Sequence, residues 1–146
     1  MRPLVRFRIY PPKCGGFWEV WIFRTANDLR AFYGSKAIPG SPAKDTTGVL
    51  AFARALIQRG RDGKYRPSRR GRRGMVAMCL SACGVGVASH EWTHAAFYEM
   101  TSHAGRKSLP LVDDEKFAML QGEMVRRFWL GFMRRFRQHG RRWVRR

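Results

Sequence analysis

From Leu4 to Tyr10, Arg6 and Arg8 alternate with Val5, Phe7 and Ile9, which is the period-two pattern of a half-buried strand. Pro11 to Gly16 is a turn-rich break, and Phe17 to Phe23 is a second strand rich in aromatic and β-branched residues. The two predict an antiparallel pair joined by a loop. Thr25 or Asn27 caps a short helix over Asp28 to Tyr33, with Leu29, Phe32 and Tyr33 on its apolar stripe and Gly34 as its stop. Ser35 to Thr47, with Pro39, Gly40 and Pro42, reads as a loop, and Val49 to Ile57 as a short amphipathic helix. Met75 to Leu80 is a short apolar run consistent with a strand. A turn over Ser81 to Gly86 leads into a helix from about Val87 to Thr101, and a loop follows through Gly105 and Pro110. Asp113 then caps a long helix running to about Arg137, with Phe117, Leu120, Met124 and Phe128 on one face. No internal repeat is visible. The expected class is α+β: a small antiparallel or mixed sheet packed on two main helices.

Length and composition narrow this picture. The 146 residues suit one domain, and 45% hydrophobic residues suffice for one core. The three cysteines, Cys14, Cys79 and Cys83, form no CxxC pair, so neither a zinc ribbon nor a disulfide framework is indicated. Reduced thiols in a reducing compartment fit best, with Cys79 and Cys83 as small buried hydrophobes. Met1 to Pro12 has no apolar run of signal-sequence length, and no stretch approaches the roughly eighteen apolar residues of a membrane span. The expectation is a cytoplasmic protein without a membrane partner.

Charge changes the picture more. The formal net charge is +19, and it is clustered. Arg59 to Gly74 holds eight Lys or Arg against Asp62, with no apolar periodicity, and is expected to be a mobile, exposed basic loop over 59–74. The tail, 134–146, is basic again, with Phe136 and Trp143 interleaved. Arg59, Arg61, Lys64, Arg66, Arg69, Arg70, Arg72, Arg73, Arg141 and Arg142 are candidate polyanion-binding residues, with Tyr65 and Trp143 as stacking surfaces for single-stranded bases. No zinc-finger, RNP or helix-turn-helix signature accompanies them.

The candidate chemistry lies at His90-Glu91-Trp92-Thr93-His94, an HExxH motif. His90 and His94, spaced i, i+4, share a helical face and can close on one Zn²⁺, leaving room for a third protein ligand and a water. Glu91 is the candidate general base, taking a proton from the activated water and passing it to the leaving amine. Val87, Ala88, Ala95, Ala96 and Phe97 surround the motif, which predicts a buried helix whose histidines need partners. Of the nearby His103, Tyr98 and Arg106, spacing selects none as an oxyanion donor, and His139 is a bystander in the tail.

With Met75 to Ser81, Gly84 to Phe97 and Asp113 to Gly122, the arrangement resembles the zincin metallopeptidases. It resembles more particularly the small ImmA/IrrE-type and phage-encoded peptidase-like proteins, in the order edge strand, active helix, acidic-headed second helix. The resemblance covers Met75 to about Phe132. Phe97 and Met100 stand where metzincins carry Gly and a third His, which excludes that subclass. The resemblance implies a third ligand from an acidic residue on the following helix. Glu115 is the first choice, on a line with Ala118 or Met119 and with Gly122, and Asp114 and Glu123 are rivals. Asp113 and Asp114 also serve the helix dipole without any metal. The implied function is zinc-dependent hydrolysis of a protein substrate. The competing reading is a zincin scaffold without proteolysis, binding nucleic acid or an acidic protein surface through its basic segments, in a phage-like interference role. A less favoured third reading is a structural zinc tying the two helices together. SprT-like proteases, which pair an HExxH site with DNA association, are similar in charge and motif only.

Overall fold

The computed structural model describes residues 2–12, 15–35, 49–59, 61–63, 65–67, 71–103 and 114–143. In chain order the elements are β1 (Val5–Ile9), β2 (Gly16–Phe23), α1 (Ala26–Ser35), β3 (Ala51–Ala55), β4 (Ile57–Arg59), β5 (Tyr65–Pro67), β6 (Gly71–Cys79), a 3-10 turn at Leu80–Ala82, α2 (Val85–His103) and α3 (Asp114–Trp143). Four strands form one mixed sheet in the order β1-β2-β6-β3, and β4 pairs with β5 in a separate two-stranded ribbon. β1 runs antiparallel to β2, as its alternation predicts, with Val5 opposite Ile22 and Arg8 opposite Glu19. β6 lies parallel to β2, and β3 antiparallel to β6 at the sheet's edge. The fold is α+β, a small mixed sheet with two main helices, the second of them long.

Alternation divides the sheet into two faces. Val5, Phe7, Ile9, Trp18, Val20, Ile22, Val76 and Met78 point to one side and join Ala88, Trp92, Ala95 and Ala96 of α2 and Met124 and Phe128 of α3 in the main core. On the other side Phe23, Met75, Ala77 and Cys79 pack under Leu29 and Phe32 of α1. The Thr25 hydroxyl accepts from the Asp28 N–H at 3.1 Å, so Thr25 is the residue that caps α1. α1 runs one residue past Gly34. α3 crosses β1 closely at Gly131, where a Cβ would lie 2.6 Å from the Phe7 ring. Among the described residues no helix is long and apolar enough to cross a membrane.

Two sequence expectations fail, each for a physical reason. The segment from Val49 is no helix: Ala51, Phe52, Ala53, Arg54 and Ala55 form edge strand β3. Alanine favours helices, but here it fills every second position of a strand whose alanines face the main core. The basic stretch 59–74 is not wholly an exposed loop either. Arg59 ends β4 and 65–67 form β5 of the ribbon, with Gly63 in the turn at φ 73°, and the last four residues of the stretch open β6. Backbone ladders need no apolar side chains, so a charge run can still be strand. A bulge lies between Phe17 and Trp18, which pair with Arg72 and Gly74 and leave Arg73 as the extra residue. Arg73 is buried to 1%, its Nε 2.6 Å from the Glu99 carboxylate. It is therefore no polyanion contact. Arg72 on the opposite face pairs with Glu19 at 3.2 Å. The expected loops at 36–47 and 104–110, with Cys14, Lys64, Arg69, Arg70, Arg106 and Asp113, lie outside the described residues.

Candidate metal centre

α2 is anchored by its apolar face and aims its polar residues in two directions. Ala88, Trp92, Ala95 and Ala96 are fully buried against the sheet and α3. Glu99, one turn further on, accepts from the Trp18 indole N–H at 2.7 Å and from Arg73 Nε at 2.6 Å. These bonds tie α2 to β2 and to β6. Thr93 donates to the Ser89 carbonyl at 2.8 Å and accepts from the Gln121 amide at 2.6 Å, which fastens the motif's own turn to α3.

His90 and His94 sit on the outer face of α2, both exposed. Their partners are each other. The two Nε2 atoms stand 3.2 Å apart with the rings at 85°. Two nitrogens held by one zinc at about 2.0–2.1 Å with a tetrahedral angle between them lie about 3.3 Å apart, so the pair fits two zinc ligands without rearrangement. The same distance serves an N–H···N hydrogen bond between neutral rings.

Glu91 lies between the histidine face and the core, 7% exposed. Burial pushes its carboxyl above the usual carboxylate range, against the opposing pull of His90 and His94 and a hydrogen bond from the Ala53 N–H of β3. The result is a stronger base than a surface glutamate, held against the edge strand. Glu91 and His94 open onto a cavity of about 530 Å³ between α2 and β3, walled by Trp18, Phe52, Phe97 and Tyr98. The Tyr98 hydroxyl donates to the Leu56 carbonyl at 3.0 Å, and burial raises its pKa, which keeps it protonated as a donor.

The acidic residues of α3 are arranged differently from the expectation. Glu115 is exposed, and so are Ala118, Met119 and Gly122, the line once expected to let the helices approach. The face of α3 that meets α2 carries Phe117, Leu120, Gln121, Met124 and Phe128 instead. Glu123 is committed to Arg126 and Arg127, at 2.7 and 2.6 Å, and they hold its carboxyl near 2 through direct hydrogen bonds. Among the described residues no group of three His, Cys, Asp or Glu is placed so that it could hold a metal ion. The structure thus joins His90, His94 and Glu91 and leaves Glu115 and Glu123 on the outer side of α3.

Sequence reasoning missed Trp18, Ala53 and Glu99 as parts of this site. Trp18 and Ala53 reach α2 from distant elements, Glu99 on α2 finds its partners in β2 and β6, and no local pattern marks any of the three. Of the polyanion candidates, Arg61 is exposed in the ribbon turn, Arg59 and Arg66 lie on the ribbon strands, and Arg141 and Arg142 lie in the last turns of α3. Comparison with protein-family models, curated proteins and solved structures finds no match to this chain.

Proposed function

We infer that the chain is a zinc-dependent peptidase acting on a protein substrate. The observation that carries this reading is the convergence of the two imidazole nitrogens at 3.2 Å beside a buried glutamate at the mouth of a cavity. His90 and His94 would hold the ion. Zinc, when bound, polarises water and the scissile carbonyl. Glu91 receives the proton of the attacking water at its carboxylate and returns it to the leaving nitrogen, and its burial matches its basicity to that task. The Ala53 N–H fixes the carboxylate's orientation, and the bonds from Trp18 and Arg73 to Glu99 hold α2 at a set height over β3. The cavity admits a side chain of the substrate, and the Tyr98 hydroxyl, its proton given to the Leu56 carbonyl, offers an acceptor on the wall. Zinc would take its third ligand from outside the pair; with Glu115 exposed and Glu123 paired with Arg126 and Arg127, Asp114 is the remaining acidic candidate among the described residues of α3.

The test is elemental analysis of protein purified without added zinc, for the wild type and for His90→Ala, Glu91→Gln, Asp114→Asn and Glu115→Ala, with cleavage of an unfolded protein such as casein as the second readout. One equivalent of zinc in the wild type is expected, lost in His90→Ala and weakened in Asp114→Asn. Glu115→Ala keeps it. Glu91→Gln keeps the metal and loses cleavage. Failure of the wild type to take up zinc even when supplied would overturn the reading.

A further inference from the structure

Among the described residues, α1 covers only half of the face of the sheet turned away from α2. Over β2, α1 shields the Phe23 end, where Trp21 and Phe23 pack on Phe32. The register places Arg6 and Arg8 of β1 opposite Trp21 and Glu19 of β2, and Arg54 of β3 opposite Met75 of β6. Arg72 pairs with Phe17 on the same side. Arg6, Arg8, Arg54 and Arg72 thus share this half-face, where Glu19 pairs with Arg6 at 2.6 Å and with Arg72 at 3.2 Å. Arg6 lies over the Trp21 ring at 5.0 Å and Arg8 over the Phe17 ring at 4.3 Å. Beside them opens a cavity of about 270 Å³ with Trp21 and Phe32 as flat walls and Arg54 and Arg72 at its rim.

We propose that this half-face binds single-stranded nucleic acid, with phosphates on Arg6, Arg8, Arg54 and Arg72 and a base seated in the cavity against Trp21. The chemistry selects this partner. A cluster of guanidiniums, each able to fork two hydrogen bonds to a phosphate, attracts a polyanion. Trp21, half-buried at the wall of the cavity, offers a plane to an unpaired base, and a duplex keeps its bases stacked inside. A lipid surface would want apolar side chains that protrude, and the rings here are topped by arginines instead. The surface lies across the sheet from His90 and His94, so it stands whether or not the metal reading does. It is also distinct from the basic end of α3, which packs on the other face.

The experiment is fluorescence anisotropy of a labelled thymine homopolymer with the full chain over a range of salt, with a duplex and anionic vesicles as competitors. Arg8→Gln/Arg54→Gln is compared with Arg134→Gln/Arg137→Gln, which removes the same charge from exposed positions of α3. The sheet pair should weaken binding and lower the salt slope by about 1.4, at about 0.7 per phosphate on a single strand. The α3 pair should leave binding near the wild type. A measurement on the unaltered protein guards against misfolding: an oligonucleotide carrying 5-iodouracil should photocrosslink to the peptide containing Phe17 and Trp21. Equal weakening by both pairs, stronger competition by duplex or vesicles, no binding at all, or crosslinks confined to α3 would each overturn the proposal.

Discussion

Replacing Arg73 by Met removes the guanidinium that meets Glu99 at 2.6 Å inside the protein, both side chains being 1% exposed. The Trp18 indole still donates to the carboxylate. That bond does not offset a full buried charge, and breaking a buried pair from one side typically costs roughly 3–5 kcal/mol. Glu99→Gln strands the guanidinium instead and should cost a similar amount, because a buried charge again loses the partner that compensated it. The double variant Arg73→Met/Glu99→Gln should lie closer to the wild type than either single change. Urea denaturation followed by tryptophan fluorescence at pH 7 measures all three. A deficit for Arg73→Met below about 1 kcal/mol, or a double variant no closer to the wild type than either single change, would refute the reasoning.

Three further outcomes follow from the same structure. Gly74→Ala would press a methyl group into the Trp18 ring and to within 2.6 Å of the Arg54 carbonyl, and should destabilise by about 1–3 kcal/mol in the same denaturation assay. Cys83, which donates to the Met78 sulfur at 3.1 Å, has its thiol pushed by burial from 9.0 up to about 12. Its native alkylation by iodoacetamide at pH 8 should be about a thousand-fold slower than that of the unfolded chain, as read by mass spectrometry. Burial works to raise the Glu19 carboxyl, but the Arg6 hydrogen bond and the charges of Arg72 and Arg6 prevail and hold it below its ordinary 4.5. Its stabilising contribution is therefore present above that value and lost as pH falls through the lowered one, so Glu19→Gln should cost stability at pH 7 and progressively less below about pH 4.5.

Much of the fold is legible because period decides it. β1, β2 and the two main helices carry long, unambiguous patterns, and the main-core face of α3 follows from Phe117, Leu120, Met124 and Phe128 spaced three and four apart. β3 is illegible because alternate alanines satisfy a helix as readily as a strand. The HExxH pair is legible, since i, i+4 spacing by itself brings two side chains together. The third ligand is a different matter. Glu115 precedes Phe117 by two residues, about 200° around a helix, so the same periodicity that marks the buried face already turns Glu115 outward. That signal was present in the chain. Arg73 gives none: a partner 26 residues away on another element rescues its burial, and nothing next to it foretells Glu99.

The bulge in β6 also governs where this chain can be rebuilt. The extra residue puts Arg73 and Gly74 on the same side, a long side chain followed by none, and it sets the phase of everything from Met75 to Cys79. One residue added or removed there would exchange the two faces of a central strand. The ribbon turn at 61–63, exposed and outside the main sheet, has no phase to keep. A tag, a fluorophore or a tether for an engineered version belongs at that tip, and chain length around residues 71–74 should be left untouched even where composition is changed.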